Sequence, residues 1–319
     1  MNITFTICSS NYLSQALSLK MSYLKHNKDA EFYIILADKK PEFIKDESIV
    51  EVENIGIIAE VFSTLLKEYN IIEFNTAIKP FAFDFLVKSR KPNNIVYLDP
   101  DILVYQSFDK LFNELEGNNF MLTPHILNPI KNKAIYHLLL ATINTGTYNL
   151  GFLGLNINET TIGFIEWWKS HLTHYGHNRI LEGQFYDQKV MNLVPAFYEK
   201  VLITRNSGRN IAEWNFHERS LSKKDEKYYV NSDLLEFFHF SGVKITSYED
   251  NLGLNKLIRL ADSVELKVLI ENYISENKLN HYEKLRTIPC AYQLQPNIHR
   301  ASKKEVYIYK IKKWLSSKK

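Results

Sequence analysis

A chain of 319 residues, 45% of them hydrophobic, is long enough to bury one large core, alone or with an appendage. Its 39 Lys and Arg against 36 Asp and Glu leave a formal charge of +3, too little to call for a nucleic-acid partner. Two distant cysteines, Cys8 and Cys290, make no disulfide framework, and no Cys/His cluster has zinc spacing, so a reducing cytoplasmic setting is expected. The opening MNITFTICSS has no basic residue ahead of its apolar run, and the longest uncharged apolar stretch, YHLLLATI, is far too short to cross a bilayer.

The first third alternates strands and helices. Residues 3–8 read as a short buried strand holding Cys8, and Leu13, Ala16, Leu17, Met21 and Leu24 then recur at helical spacing. Residues 32–37 (FYIILA) read as a second buried strand, and 50–52 as a weaker one. Helical patterns cover about 58–67 and 76–89, before a third strong strand, NIVYL at 94–98, runs straight into Asp99. This βαβ order predicts a mainly parallel sheet covered by helices on both faces.

Residues 123–149 mix turn formers with one short helical stretch, as a lid over a site would. NLGFLGLN at 149–156 sets two glycines in an apolar run, which predicts a strand with a close backbone approach. Asn158 is placed to cap a helix reaching about residue 171. Residues 187–193 suggest a short helix, and FFHF at 237–240 another buried strand. From about 248 onward the pattern turns helical and polar. These features predict a domain over 1–247 and a helical, basic appendage over 248–319.

The chemistry concentrates at YLDPDILVY. Asp-x-Asp alone is common and also fits a solvated turn. Here a buried strand delivers Asp99 and Asp101 to the carboxyl end of a parallel sheet, where open α/β folds bind ligands, and Pro100 stiffens the turn between them. Two charges at the end of a core strand need a partner. A hard divalent ion, Mn²⁺ or Mg²⁺, takes carboxylates together with substrate phosphates.

Around this motif the sequence resembles bacterial GT-A-fold glycosyltransferases, close to the retaining family 8 that includes glycogenin and lipooligosaccharide galactosyltransferases. The resemblance spans about residues 1–245 and rests on six blocks in the family's order. It implies a Rossmann-like GT-A domain that moves a hexose or N-acetylhexosamine from a UDP-sugar to a hydroxyl acceptor, with retention of configuration. In ICSSNYLSQALSLKMSY it implies that Tyr12 stacks on the base and that Ser9 and Asn11 hydrogen-bond it. In AIKPFAFDFL it places Lys79 toward the donor. In YLDPDILVY it makes Asp99 and Asp101 metal ligands. In YNLGFLGLN it puts Asn149 on the donor sugar, with Gly151 leaving room for it. In FYDQKVMN it has Asp187 hold sugar hydroxyls and Gln188 lie at the reacting face, although Asp187 also suits a helix cap. In FFHFSGVK it makes His239 the third metal ligand and brings Gly242 and Lys244 to the diphosphate. The family's lysine stands one residue later than Lys244 and is followed by Pro-Trp, which this chain lacks.

GRNIAEWNFHER holds a tryptophan among amides and charges, which suits sugar recognition as well as it suits a turn; Trp214 and Asn215 are assigned to the acceptor side. Glycan or lipid-linked acceptors fit a role in cell-surface polysaccharide or glycoconjugate synthesis. Residues 302–319 carry seven lysines and one glutamate among Tyr307, Tyr309 and Trp314, which suits peripheral contact with anionic lipid headgroups on the inner face of a membrane, or a solvated helix end. The competing readings are an inverting transferase or a nucleotidyltransferase, and a sugar-nucleotide-binding module without turnover.

Overall fold

The computed structural model describes residues 1–252 and 263–296. Strands β1 (Asn2–Cys8), β2 (Glu31–Leu36), β3 (Ile49–Glu51) and β4 (Asn94–Leu98) lie parallel, with β1 at their centre. β5 (Ile102–Val104) follows the Asp99 turn and leaves this sheet. β6 (Phe120–Pro124), β7 (Tyr148–Asn156) and β8 (Val201–Ile203) complete seven strands in the order β3-β2-β1-β4-β7-β6-β8. Only β7 opposes its neighbours, so the sheet is mainly parallel, as expected.

Period-two alternation explains why these strands read as unbroken apolar runs. Ile95 and Tyr97 face one core and Val96 and Leu98 the other, and all four are buried. Helices α1 (Leu13–His26) and α5 (Asp109–Glu116) cover one face. On the other lie α2 (Ala59–Glu68), α3 (Ile71–Ala77), α4 (Lys79–Arg90) and α7 (Glu159–Tyr175). Asn158 caps α7 by accepting from the Thr161 N–H. Between β6 and β7, the stretch read as a lid contains α6 (Tyr136–Thr145), none of whose residues is buried.

Two local expectations shift. The helix expected over 76–89 divides into α3 and α4 at Ile78, because Pro80 has no N–H to continue a helical ladder but fits a first turn. The helix expected over 187–193 is a 3-10 turn, Lys189–Leu193, running into α8 (Val194–Phe197).

Beyond β8 come β9 (Arg209–Ile211), the small antiparallel sheet β10 (Leu221–Lys224), β11 (Lys227–Val230) and β12 (Asp233–Leu234), and β13 (Phe237–His239). β13 pairs with β5 and β9 in a second three-stranded sheet. A third apolar cluster packs Phe238 and Phe240 against Leu266, Leu269, Ile270 and Tyr273 of α9 (Val264–Leu279). The Phe240 and Tyr273 rings stack with centroids 4.2 Å apart. The boundary placed at 247/248 therefore runs through one continuous core. After α10 (Tyr282–Leu285), residues 291–295 return to the helical face, where Ala291 N donates to Asp38 and Gln295 N to the Tyr69 carbonyl. The basic tail over 302–319 lies outside the described residues, among which no helix is long and apolar enough to cross a membrane.

Candidate active site

The strand polarity builds the site. β1 and β4 deliver Ser9–Tyr12 and Asp99–Asp101 at their carboxyl ends. Because β7 runs the other way, its first residues, Asn149–Gly151, arrive at the same edge. Asp99 N donates to the Gly151 carbonyl (2.8 Å), which seals this junction.

Asp99-Pro100-Asp101-Ile102 forms a tight turn, with Ile102 N donating to Asp99 O at 3.2 Å, and a proline in second position presets its bend. The chain then enters β5 antiparallel to β13 with Ile102 opposite His239. That register carries His239 to the aspartates: its Nε2 lies 3.0 Å from Asp101 and 3.8 Å from Asp99. One ligand atom from each of the three side chains falls within 4.8 Å of the others. Burial opposes a charge on His239, but the carboxylates of Asp101 and Asp99 outweigh it and hold the imidazole above its usual range. Asp99 also accepts from the buried Tyr97 hydroxyl (2.6 Å), which burial and the Asp99 charge keep protonated.

Lys79 and Asp187 meet in the interior. The two side chains are 2% and 4% exposed and lie 2.5 Å apart. Lys79 also donates to the Leu150 carbonyl (3.0 Å) and sits 4.0 Å from the Tyr97 ring centroid. Lys79 thus spends its charge on Asp187. Burial raises the Asp187 carboxyl, Lys79 pulls it down and Asp99 pushes it up, with a net rise.

Gln188 is clamped at both ends. Its Oε1 accepts from Leu150 N (3.1 Å) and its Nε2 donates to the Thr145 carbonyl (3.0 Å) at the end of α6. A backbone donor on one side and a backbone acceptor on the other settle which end is oxygen.

Gly151 fills a different need from the one its motif implies. A Cβ there would come 2.5 Å from His239 Cε1 and 2.7 Å from Asn149 Oδ1. The missing side chain makes room for the imidazole and for the Asn149 amide.

The base-side residues gather at the end of β1. Ser9 is buried and accepts from Asn75 Nδ2 (2.7 Å). Asn11 is half-buried in the 3-10 turn with Tyr12. Tyr12 is 46% exposed; burial of its hydroxyl raises its pKa, and the charges of Asp101, Tyr282 and Asp99 add to the rise. After β13, Gly242 takes a φ of 75°, open to glycine without strain. The exposed Lys244 begins a loop whose backbone is held by Asn251.

The acceptor-side pair separates. The Trp214 ring stands edge-on to His239 at 5.1 Å and to His125 at 5.5 Å, so it borders the metal-ligand cluster. Asn215 is fully buried; it accepts from Ala212 N (3.0 Å) and donates to the Asn210 carbonyl (3.0 Å). Those bonds make it a turn residue without an atom for an acceptor, a correction to its expected role.

Sequence reasoning missed Tyr97 and His125 as parts of the site, and it placed Asn210 only within the GRNIAEWNFHER segment, without a role of its own. Tyr97 lies in β4 two residues before Asp99, and the strand's period of two, continued into the turn, points its side chain the same way, a signal the sequence could have supplied. Asn210 and His125 come from distant segments, and no sequence pattern shows that they meet His239 and Asn149.

No protein-family model matches the chain. It is similar to the uncharacterized proteins YfnF and YfnD of Bacillus subtilis (strain 168). YfnF is 24% identical over 261 residues, covering 80% of this chain and 86% of that protein; YfnD is 23% identical over 281 residues, covering 84% and 86%. The solved structures it is similar to include glycosyltransferases. They include galactosyltransferase LgtC in complex with donor and acceptor sugar analogs, with 16% identity, 91% of this chain and 98% of that chain covered, and a TM-score of 0.49. Another is glycosyltransferase GlyE of Streptococcus pneumoniae TIGR4, with 14% identity, 91% and 65% covered, and a TM-score of 0.48.

Proposed function

We propose that the chain is a metal-dependent GT-A glycosyltransferase that moves a hexose or N-acetylhexosamine from a UDP-sugar to a hydroxyl acceptor. The observation that carries this reading is the convergence of Asp99, Asp101 and His239 at the carboxyl edge of the sheet. Two carboxylates and an imidazole converging within reach of one another suit Mn²⁺ or Mg²⁺. Such an ion would neutralise the leaving diphosphate.

The remaining roles belong to side chains. Tyr12 is exposed beside the cluster and available to stack on a base, with Ser9 and Asn11 beside it. Gly242 and Lys244, three and five residues after His239, are assigned to the diphosphate. Asn149 and Asp187 orient sugar hydroxyls, and Lys79 holds Asp187 in place. Of the two routes to retention, a same-face, internal-return-like route with Gln188 stabilising charge fits better than a double displacement. A double displacement needs a free carboxylate across the sugar, whereas Asp187 is buried and paired with Lys79. The same pairing counts against Asp187 as the base of an inverting enzyme.

Calorimetric titration of the protein with UDP, with and without Mn²⁺, tests the reading. Binding should require the metal. It should also weaken as pH falls through the raised pKa of His239, because the metal must displace the imidazole proton. UDP binding indifferent to Mn²⁺ at every pH would rule the metal site out.

A further inference from the structure

Behind the candidate ligands runs a line of polar side chains whose hydrogen-bond directions follow from one backbone group. The Gly151 N–H can only donate, and it donates to Asn149 Oδ1 (3.1 Å). That oxygen also faces Asn210 Nδ2 (2.9 Å), so the Asn210 nitrogen points toward Asn149 and toward Thr123 Oγ1 (2.9 Å). The Asn210 oxygen is thereby turned to His239 Nδ1 (3.1 Å), which must carry a hydrogen to donate to it. The line continues outward with consistent polarity. Asn149 Nδ2 faces His125 Nε2 (3.3 Å), and His125 Nδ1 faces the Thr147 carbonyl (3.2 Å).

Asn210 is 1% exposed and adopts a φ of 56°, a conformation that asparagine tolerates better than most residues. Asn215 holds it there through the Asn210 carbonyl. A buried asparagine in this conformation, with both ends of its amide engaged, is a costly way merely to fill space.

We propose that Asn210 is the positioning residue of the metal site: it fixes His239 in the Nδ1–H tautomer and so presents Nε2 to a divalent cation. A hydrogen bond on the far nitrogen both orients an imidazole ligand and sets which nitrogen is free to coordinate. The inference rests on the metal reading above and adds to it a residue outside the ligand set. The same amide contacts Asn149, so one side chain ties the cation side of the site to the residue assigned to the donor sugar.

Two variants separate this role from simple packing. Asn210→Gly tolerates the positive φ and removes the acceptor. Asn210→Asp keeps an acceptor for His239 Nδ1 but loses both donations, to Asn149 and to Thr123. Binding of Mn²⁺ alone is read from the electron paramagnetic resonance of the free ion, with circular dichroism as the check on folding. Asn210→Gly should weaken Mn²⁺ by about 10–100-fold, and Asn210→Asp should hold it near the wild-type value. If Asn210→Asp binds as weakly as the glycine variant, or if a folded Asn210→Gly binds as well as wild type, Asn210 only packs the interior and the proposal fails. Should Asn210→Gly not fold, Asn210→Asp decides alone: retained affinity supports the role and lost affinity overturns it. Wild-type protein that binds no Mn²⁺ would sink the metal reading and this inference together, whereas unchanged affinity in a folded Asn210→Gly would remove this inference alone.

Discussion

Asp101→Ala should abolish metal-dependent UDP binding and lower sugar-transfer turnover at least about 100-fold, the scale of losing one preorganised electrostatic partner. The backbone around Asp101 should survive, because its carbonyl accepts from Phe240 N (2.8 Å) and Pro100 presets the turn. The substitution also relieves the crowding of two carboxylates, so the thermal midpoint should change little. Activity assays and UDP titrations of the variant, set beside its melting curve, check this. A variant that keeps Mn²⁺-dependent UDP binding would remove Asp101 from the ligand set.

Lys79→Met should cost about 3–5 kcal/mol of stability, the scale of breaking a buried ion pair on one side only. Methionine approximates the length of the lysine stem, so packing changes little. What is lost is the counter-charge of Asp187 and the donor to the Leu150 carbonyl. The sign with pH follows. Asp187 already has a raised pKa, chiefly from burial, and loses the lowering influence of Lys79. Its folded pKa then lies further above the unfolded value. The deficit should be largest at high pH and shrink as pH falls through the folded pKa, where protonation removes the unpaired charge. Urea unfolding at two pH values measures this. A deficit that does not change with pH would mean that Asp187 does not bear the lost charge balance.

Local pattern carried much of the fold. β1, β2 and β4 are dense apolar runs, and α1 repeats at helical spacing, so each could be read within its own window. β9 to β12 have two to four residues each and offer no period to read. β10 to β12 pair locally, Lys224 opposite Lys227 and Val230 opposite Asp233, whereas β9 is placed by long-range pairing with β13, which lies between β5 and β9. The site divides in the same way. Asp99 and Asp101 declare themselves because strand, proline turn and carboxylates are contiguous. The resemblance to known motifs brought in His239, but its arrival beside Asp101 depends on the register of β5 with β13. Lys79 was assigned to the donor, yet its nearest charge is Asp187, from a distant segment that sequence spacing cannot place beside it. Asn215 looked like a sugar-binding amide by composition. Its burial, and its bonds to Ala212 and Asn210, appear only when the chain is folded. Gly151 was legible as a close approach, but what approaches is the His239 ring.

On this reading Asp99, Asp101 and His239 would hold a divalent metal that helps to break a nucleotide-sugar bond. Incubating the protein with a panel of UDP-hexoses and UDP-N-acetylhexosamines, with Mn²⁺ or with a chelator, and measuring released UDP tests it most directly. The account predicts slow UDP release from at least one donor, dependent on Mn²⁺ and lost in Asp101→Ala. Folded protein that binds UDP and Mn²⁺ yet releases no UDP from any donor, with or without candidate acceptors, would contradict it and leave a binding module in its place.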